Sequence, residues 1–430
     1  MVKIVLIGAG SHCFGRGQIA DIINSKELDA IGIRLVLVDV DAAALELMRR
    51  FAETMKAKRG SKIIIEAFTD RRQALPEADY VVVAVAQKRW QLWEQDFRVP
   101  NAFGFRQILG ENGGPGALFH AMRSIHLIIP IAKDMETLCP NALLLNFTNP
   151  EARVLNALLN LTRIKSMGIC HGYFSAENYI AKLLEVPTSQ IHITSAGMNH
   201  FYCVLNVLDK ENGKDRFEEV LGKAASDLSA PPLFRKMAQI FGVLTFPSDD
   251  HFGEYLPFGC EYSDGRWHYG NEFKPFHIQP EAPAINMIQD YLEGNASLEN
   301  SLFSKSGEIT VSIISDIETN SGAWRPAVNV MNSGSFREKL PKDAVVEIPA
   351  HVDAKGAHPE CVGPIPETFA NFMRTHFTIH RLCTEAYRTR SRKLLLQALL
   401  LDPCVNDIAK AEKLLDTMLN LQKEFLPSFG

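Results

Sequence analysis

No apolar run in this chain approaches the roughly 18 residues that a membrane-crossing helix needs. There is no CxxC pair and no dense cysteine framework. The eight cysteines (13, 139, 170, 203, 260, 361, 383 and 404) are scattered, a pattern of free thiols that predicts a reducing, cytoplasmic setting. Basic residues are not in excess. The 45 Lys and Arg stand against 50 Asp and Glu, a net charge of −5, so no positive field draws nucleic acid or an anionic membrane surface. Low-complexity tracts and repeats of solenoid period are missing as well, which excludes a repeat scaffold.

What is present is ordinary globular material. Hydrophobic residues make up 46% and charged residues 22%, which rules out wholesale disorder. A length of 430 residues fits two domains, or one large α/β unit with an elaborated second half. The short apolar run Ile4–Ile7 passes straight into a glycine turn and does not read as a signal peptide.

The first third alternates β-like and helical stretches. Strands are expected at Lys3–Ile7, Arg34–Val38, Lys62–Ala67, Tyr80–Ala86 and Ala142–Phe147, with helices at Arg16–Asn24, Ala42–Lys58 and Ala117–Met135. Strands separated by helices imply βαβ units, hence a Rossmann-type doubly wound parallel sheet with right-handed crossovers. After Pro150 the texture becomes α+β. Helices are expected at Glu151–Leu161 and Ser175–Leu184, and extended chain at Gln190–Ala196 and Phe201–Leu208. A polar surface excursion follows at 209–232, then a Pro- and Gly-punctuated stretch at 245–270, and a helical C-terminus from about Phe369. The expected division is a nucleotide-binding domain over 1–165 and a substrate- and metal-binding domain over 166–430.

Gly8-Ala9-Gly10-Ser11 follows the first strand and opens a helix, the setting that makes a dinucleotide turn credible. Gly8 permits the tight turn. Gly10 lets backbone amides approach a pyrophosphate at the helix N-terminus. Asp39, at the end of the second strand, can accept from ribose hydroxyls and disfavours a 2′-phosphate, which points to NAD over NADP. The departure is Cys13, where a third glycine is usual; the next glycine is Gly15.

Three further segments follow strand-like runs: Asn146–Pro150, Gly168–Gly172 and Gly197–Phe201. Asn149 falls at the C-terminal edge of the sheet, where α/β ligands bind. Cys170 and His200 could meet there on one divalent transition metal, since thiolate plus imidazole suits Mn, Fe, Co, Ni or Zn better than Mg or Ca. From spacing alone, a lone Cys or His is more often a satisfied core residue. Ser248-Asp249-Asp250-His251 through Pro257 is dense in acids and bases. It could supply a general base, or it could be a helix start capped by Ser248 or Asp249.

Jointly these segments resemble glycoside hydrolase family 4, the NAD- and metal-dependent glycosidases. The resemblance spans the whole chain and includes Phe14 beside the cofactor turn, Gly113-Gly114-Pro115-Gly116, Asn332-Ser333-Gly334, Val345–Pro349 and Ala398–Pro403. It implies a fold of the lactate/malate-dehydrogenase type and a redox-elimination route. In that route NAD takes hydride from the sugar C3, a base removes the C2 proton, the glycosidic oxygen leaves C1, water adds and the hydride returns. The resemblance implies metal ligands Cys170 and His200 for Mn or a similar ion, and substrate contacts at Asn149, Glu111 and Asn199. It makes His171 the candidate acid and Asp249 the favoured C2 base, with Asp250 and His251 as alternatives. It implies the branch acting on unphosphorylated α-glucosides, α-galactosides or uronides, and a homodimer or homotetramer. Lys88, Arg89, Arg106 and Arg123 are candidate partners for a uronate, and Trp90 and Trp93 could stack on a sugar or belong to the core. The competing readings are a 2-hydroxy acid dehydrogenase of the lactate/malate type and a non-catalytic NAD sensor.

Overall fold

The computed structural model describes residues 1–262, 282–334, 336 and 340–430; the expected Pro- and Gly-punctuated stretch at 245–270 therefore lies partly outside the described residues. Among the described residues, twelve strands form one mixed sheet: β1 (Val2–Ile7), β2 (Ile33–Val38), β3 (Ile64–Phe68), β4 (Tyr80–Val83), β5 (Leu143–Asn146), β6 (Ser166–Gly168), β7 (Ile191–Met198), β8 (Phe201–Asp209), β9 (Leu244–Thr245), β10 (Ala323–Met331), β11 (Val345–Asp353) and β12 (Gly356–Pro359). The order is β3-β2-β1-β4-β5-β6-β10-β11-β7-β8-β9, with β12 on β11. The first six strands are parallel, and the order reverses between β1 and β4. From β6 onward the pairing is antiparallel.

The parallel half is covered on both faces, as βαβ crossovers require. In β1, Ile4 and Leu6 join a core with Ile19, Ile22 and Phe51, while Val5 and Ile7 join a core with Leu118, Ile125 and Leu155. The period-2 alternation thus feeds two opposite layers. The second layer is finished from far away: Ile379, Cys383, Leu395, Leu399, Leu414 and Met418 belong to it. They lie on the C-terminal helices Glu367–Thr389, Arg392–Leu401 and Ile408–Leu421. Residue 165 is consequently no gap in space, because β6 hydrogen-bonds to β5 on one side and β10 on the other.

Most expected elements lie within a few residues of the observed ones. The expected polar excursion at 209–232 contains the helix Phe217–Ser226, which buries Val220 and Ala224. Among the described residues no helix is long and apolar enough to cross a membrane.

Candidate active site

The C-terminal ends of β1, β4, β5 and β6 share one edge of the sheet, where a doubly wound fold opens a crevice at its switch point. Gly8 adopts φ +90°, and a Cβ there would come within 1.9 Å of the Ala84 carbonyl oxygen. The Gly10 amide donates to Asp39 Oδ2 at 2.8 Å, so the acid of β2's end also fastens the turn. The helix Phe14–Ile23 begins there. The close-packing role that Cys13 cannot fill falls to Gly15, where a Cβ would lie 2.2 Å from the Ala9 carbonyl oxygen. Phe14 packs on Phe147 with ring centroids 4.7 Å apart.

Cys170 and His200, 30 residues apart in the chain, converge: Sγ and Nε2 are 3.4 Å apart. The sheet explains why. Gly168, Asn329, Glu347 and Gly197 are successive partners across β6, β10, β11 and β7. Cys170 lies two residues beyond Gly168, and His200 sits in the β7–β8 turn at φ +62°. Both glycines are required by space. A Cβ at Gly168 would fall 1.6 Å from Glu151 Oε1, and one at Gly197 would fall 2.4 Å from the Phe201 carbonyl oxygen.

This pair fits a divalent transition metal. Metal–sulfur and metal–nitrogen bonds of about 2.3 and 2.1 Å, meeting at about 90–110°, leave the two atoms roughly 3.1–3.6 Å apart. Burial, reinforced by the charges of His251 and His171, holds the His200 imidazole well below its usual pKa, so the ring is in the neutral form that ligates metals. Burial pushes the Cys170 thiol up, with Glu347 and Glu308 adding to the effect, and a bound cation would reverse that by favouring thiolate. Among the described residues no group of three or more His, Cys, Asp or Glu side chains is arranged to hold a metal, so two protein ligands leave positions for other oxygens.

The acidic cluster separates into different jobs. Ser248 precedes the short helix Asp249–Gly253, as the helix-start alternative expected, but its hydroxyl donates to Asp250 instead of capping. Asp249, the favoured base, is held by backbone amides. Its two carboxylate oxygens accept from the Leu233 and Phe234 amides at 2.7 and 2.9 Å, capping the helix Pro232–Lys236. Asp250 pairs with His251, Oδ1 to Nδ1 at 2.9 Å, and the His251 ring lies 5.0 Å from that of His200. Burial works against an ionised Asp250, yet its hydrogen bond and attraction to His251 hold the carboxyl below the usual range. His251 is raised to about 9: burial opposes the charge, but Asp250, Glu111 and Glu254 outweigh it.

His171, exposed, bonds through Nδ1 to Glu308 Oε1 at 2.6 Å. That contact holds its imidazole above the ordinary value. Asn149 and Glu111 come together, with Nδ2 donating to Oε1 at 3.2 Å. Asn199, expected at the substrate, is buried and donates to Glu347 Oε2 at 3.1 Å, so its amide nitrogen is engaged in the interior. Of the four candidate cations, Arg123 is buried against Asp96. Arg89 is half-exposed, 3.6 Å from Glu111. Trp93 is core, its indole donating to the Leu109 carbonyl.

Glu347 and Glu308 stood outside the sequence-based site. Glu347 carried a usable signal, a carboxylate in the otherwise apolar run Val345–Ile348. Glu308, in a polar loop, carried none.

The family model "Family 4 glycosyl hydrolase" matches residues 3–186, and that family's C-terminal domain matches residues 195–405. The chain is 32% identical to an alpha-glucosidase of Erwinia rhapontici over 99% of its own length and 98% of that protein. It is 29% identical to an alpha-galactosidase of Bacillus subtilis, covering 94% of this chain and 93% of that protein. A crystal structure of a 6-phospho-alpha-glucosidase from gut microorganisms, in complex with NAD and Mn2+, superposes with a TM-score of 0.86 at 20% identity over 100% of both chains.

Proposed function

The chain belongs to the family 4 glycosyl hydrolases, and on that premise we propose that it hydrolyses unphosphorylated α-glycosides with NAD and a divalent transition metal, Mn2+ foremost. The observation that carries the reading is the meeting of Cys170 and His200 at the sheet edge that also carries a dinucleotide-type turn. The relatives named alpha-glucosidase and alpha-galactosidase support an α-linkage. Of the cations that could meet an acidic sugar, Arg123 is committed to Asp96 and Arg89 stands beside Glu111, while Lys88 and Arg106 are exposed, so the panel includes uronides. The complex with NAD and Mn2+ supports the cofactor choice.

When bound, NAD supplies the hydride acceptor for the sugar C3, and the metal ion supplies a Lewis acid for the C2 and C3 oxygens. The chain's own residues do the rest. Cys170 as thiolate and His200 as neutral imidazole would hold the ion. Gly8, Gly10, Ser11 and Phe14 shape the cofactor turn, with Asp39 placed for ribose hydroxyls. Asn149, braced by Glu111, orients a sugar hydroxyl. Asp250, the unprotonated member of a pair whose imidazole already carries its proton, takes the C2 proton next to His200. Asp249 shapes the wall that carries them. His171, with Nδ1 bound to Glu308, delivers a proton from its other nitrogen to the departing oxygen.

A panel of p-nitrophenyl α-glycosides and α-uronides, assayed with NAD, Mn2+ and a thiol reductant, tests the reading. Hydrolysis that needs all three additions is expected, with solvent deuterium incorporated at C2 of the product. NADH accumulating one-for-one with product would indicate a dehydrogenase instead, and hydrolysis without deuterium at C2 would defeat the elimination route.

A further inference from the structure

Glu308 is carried on a segment fastened to the cofactor-turn helix. Arg16 on that helix donates to the carbonyl oxygens of Leu302 and Ser304, at 2.6 and 3.2 Å. Asn24 donates to the Phe303 carbonyl at 2.9 Å. Asp21, buried between them, accepts from the Ser306 amide at 2.8 Å and from its hydroxyl. The Ser306 hydroxyl in turn accepts from the Glu308 amide at 3.0 Å. Gly17 keeps the two elements close, since a Cβ there would lie 3.0 Å from Ser306 Cβ. Two side chains on one helix, with that of the residue capping its end, thus fix a seven-residue segment whose last member grips the imidazole next to Cys170.

We propose that Glu308 is a positioning residue for His171, holding the imidazole by Nδ1 so that its other nitrogen faces the leaving oxygen, and that its own place is set by the helix of the cofactor turn. The proposal rests on the reading of His171 as the proton donor. A carboxylate can only accept, so the contact fixes one tautomer and one ring orientation. Without it an exposed ring samples other rotamers, and proton delivery fails more often than binding does.

The experiment uses the full chain with NAD, Mn2+ and reductant. It compares Glu308→Ala, Glu308→Gln and His171→Ala on p-nitrophenyl and methyl α-glycosides of the sugar that the panel identifies. A nitrophenolate leaves without help, whereas methoxide needs a proton. The kcat ratio of the two substrates should rise roughly tenfold or more in Glu308→Ala and in His171→Ala, with KM little changed. Glu308→Gln, which still accepts from Nδ1, should recover most of the loss. Ser306→Ala, remote from substrate, should shift the ratio the same way by less. In the protein without added metal or cofactor, ¹⁵N-histidine NMR should show a hydrogen-bonded Nδ1 proton of His171 that vanishes in Glu308→Ala. A raised ratio in His171→Ala beside a wild-type ratio in Glu308→Ala would overturn the role of Glu308 alone. A wild-type ratio in His171→Ala would overturn the donor reading, and Glu308 with it.

Discussion

Asn199 donates its side-chain amide to Glu347 across 3.1 Å, and Asn329 donates to the same carboxylate oxygen at the same distance. The residue before one candidate metal ligand is therefore anchored to the strand row that leads to the other. Burial raises the Glu347 carboxyl, and the two amides only partly offset this. Glu347→Ala should leave two buried amides without an acceptor, at about 1–3 kcal/mol each. It should also weaken metal binding about 10–100-fold. Denaturant unfolding and Mn2+ titration measure the two effects; a stable variant with unaltered metal affinity would contradict the anchoring role.

Cys170→Ser should lower metal-dependent turnover at least about 100-fold while leaving NAD affinity within a few-fold, because the thiol sits on β6's end and not on the glycine turn. Cofactor fluorescence and Mn2+ binding separate these outcomes. Undiminished activity would remove the thiol from the metal site.

Asp249 and Asp250 are adjacent yet should respond in opposite ways. Asp250→Asn should reduce kcat about 10²–10⁴-fold with little change in melting temperature. Asp249→Asn should cost about 0.5–2 kcal/mol of stability, since it loses a helix cap, and should lower kcat far less. Thermal melts beside steady-state kinetics decide it; a large kcat loss confined to Asp249→Asn would return the base to that residue.

Glu254 gives a pH prediction. It accepts from the Glu111 amide at 2.7 Å, and burial, with the charge of Glu111 beside it, pushes its carboxyl up to about 8. In the unfolded chain it titrates near about 4.3. The folded state therefore holds the proton that the unfolded state has released. The stabilising contribution is complete below the unfolded value and is lost as pH climbs through the folded one. Relative to wild type, Glu254→Gln should gain up to about 1.4 kcal/mol per pH unit between about pH 5 and 8. Urea melts across that range test it, and a constant difference between the two proteins would refute it.

The parallel half of the fold was legible because its strands are long apolar runs punctuated by helices with clear periods. The three-residue strand β6 was not, being too short to show any period, and the antiparallel pair β10–β11 is joined to the rest of the sheet by single bridges to the distant β6 and β7. Cys170 and His200 were readable as candidates from residue type and place, but their meeting depends on the four-strand row that joins them. The engagement of Asp249 was hidden for a related reason: its partners are the amides of Leu233 and Phe234, 16 and 15 residues upstream, and no local pattern announces a cap made by a side chain from another helix. The shift of the third glycine from 13 to 15 was visible in the letters, but its meaning emerged only from the close approach of Gly15 to Ala9.

The tail of the polypeptide doubles as lining for its head. Ile379, Leu395, Leu414 and their neighbours belong to the same core as Val5 and Val81, so the two ends of the chain share one hydrophobic layer. A chimera that grafts a foreign catalytic portion after residue 165 must also bring back the native last sixty residues, or redesign the seam.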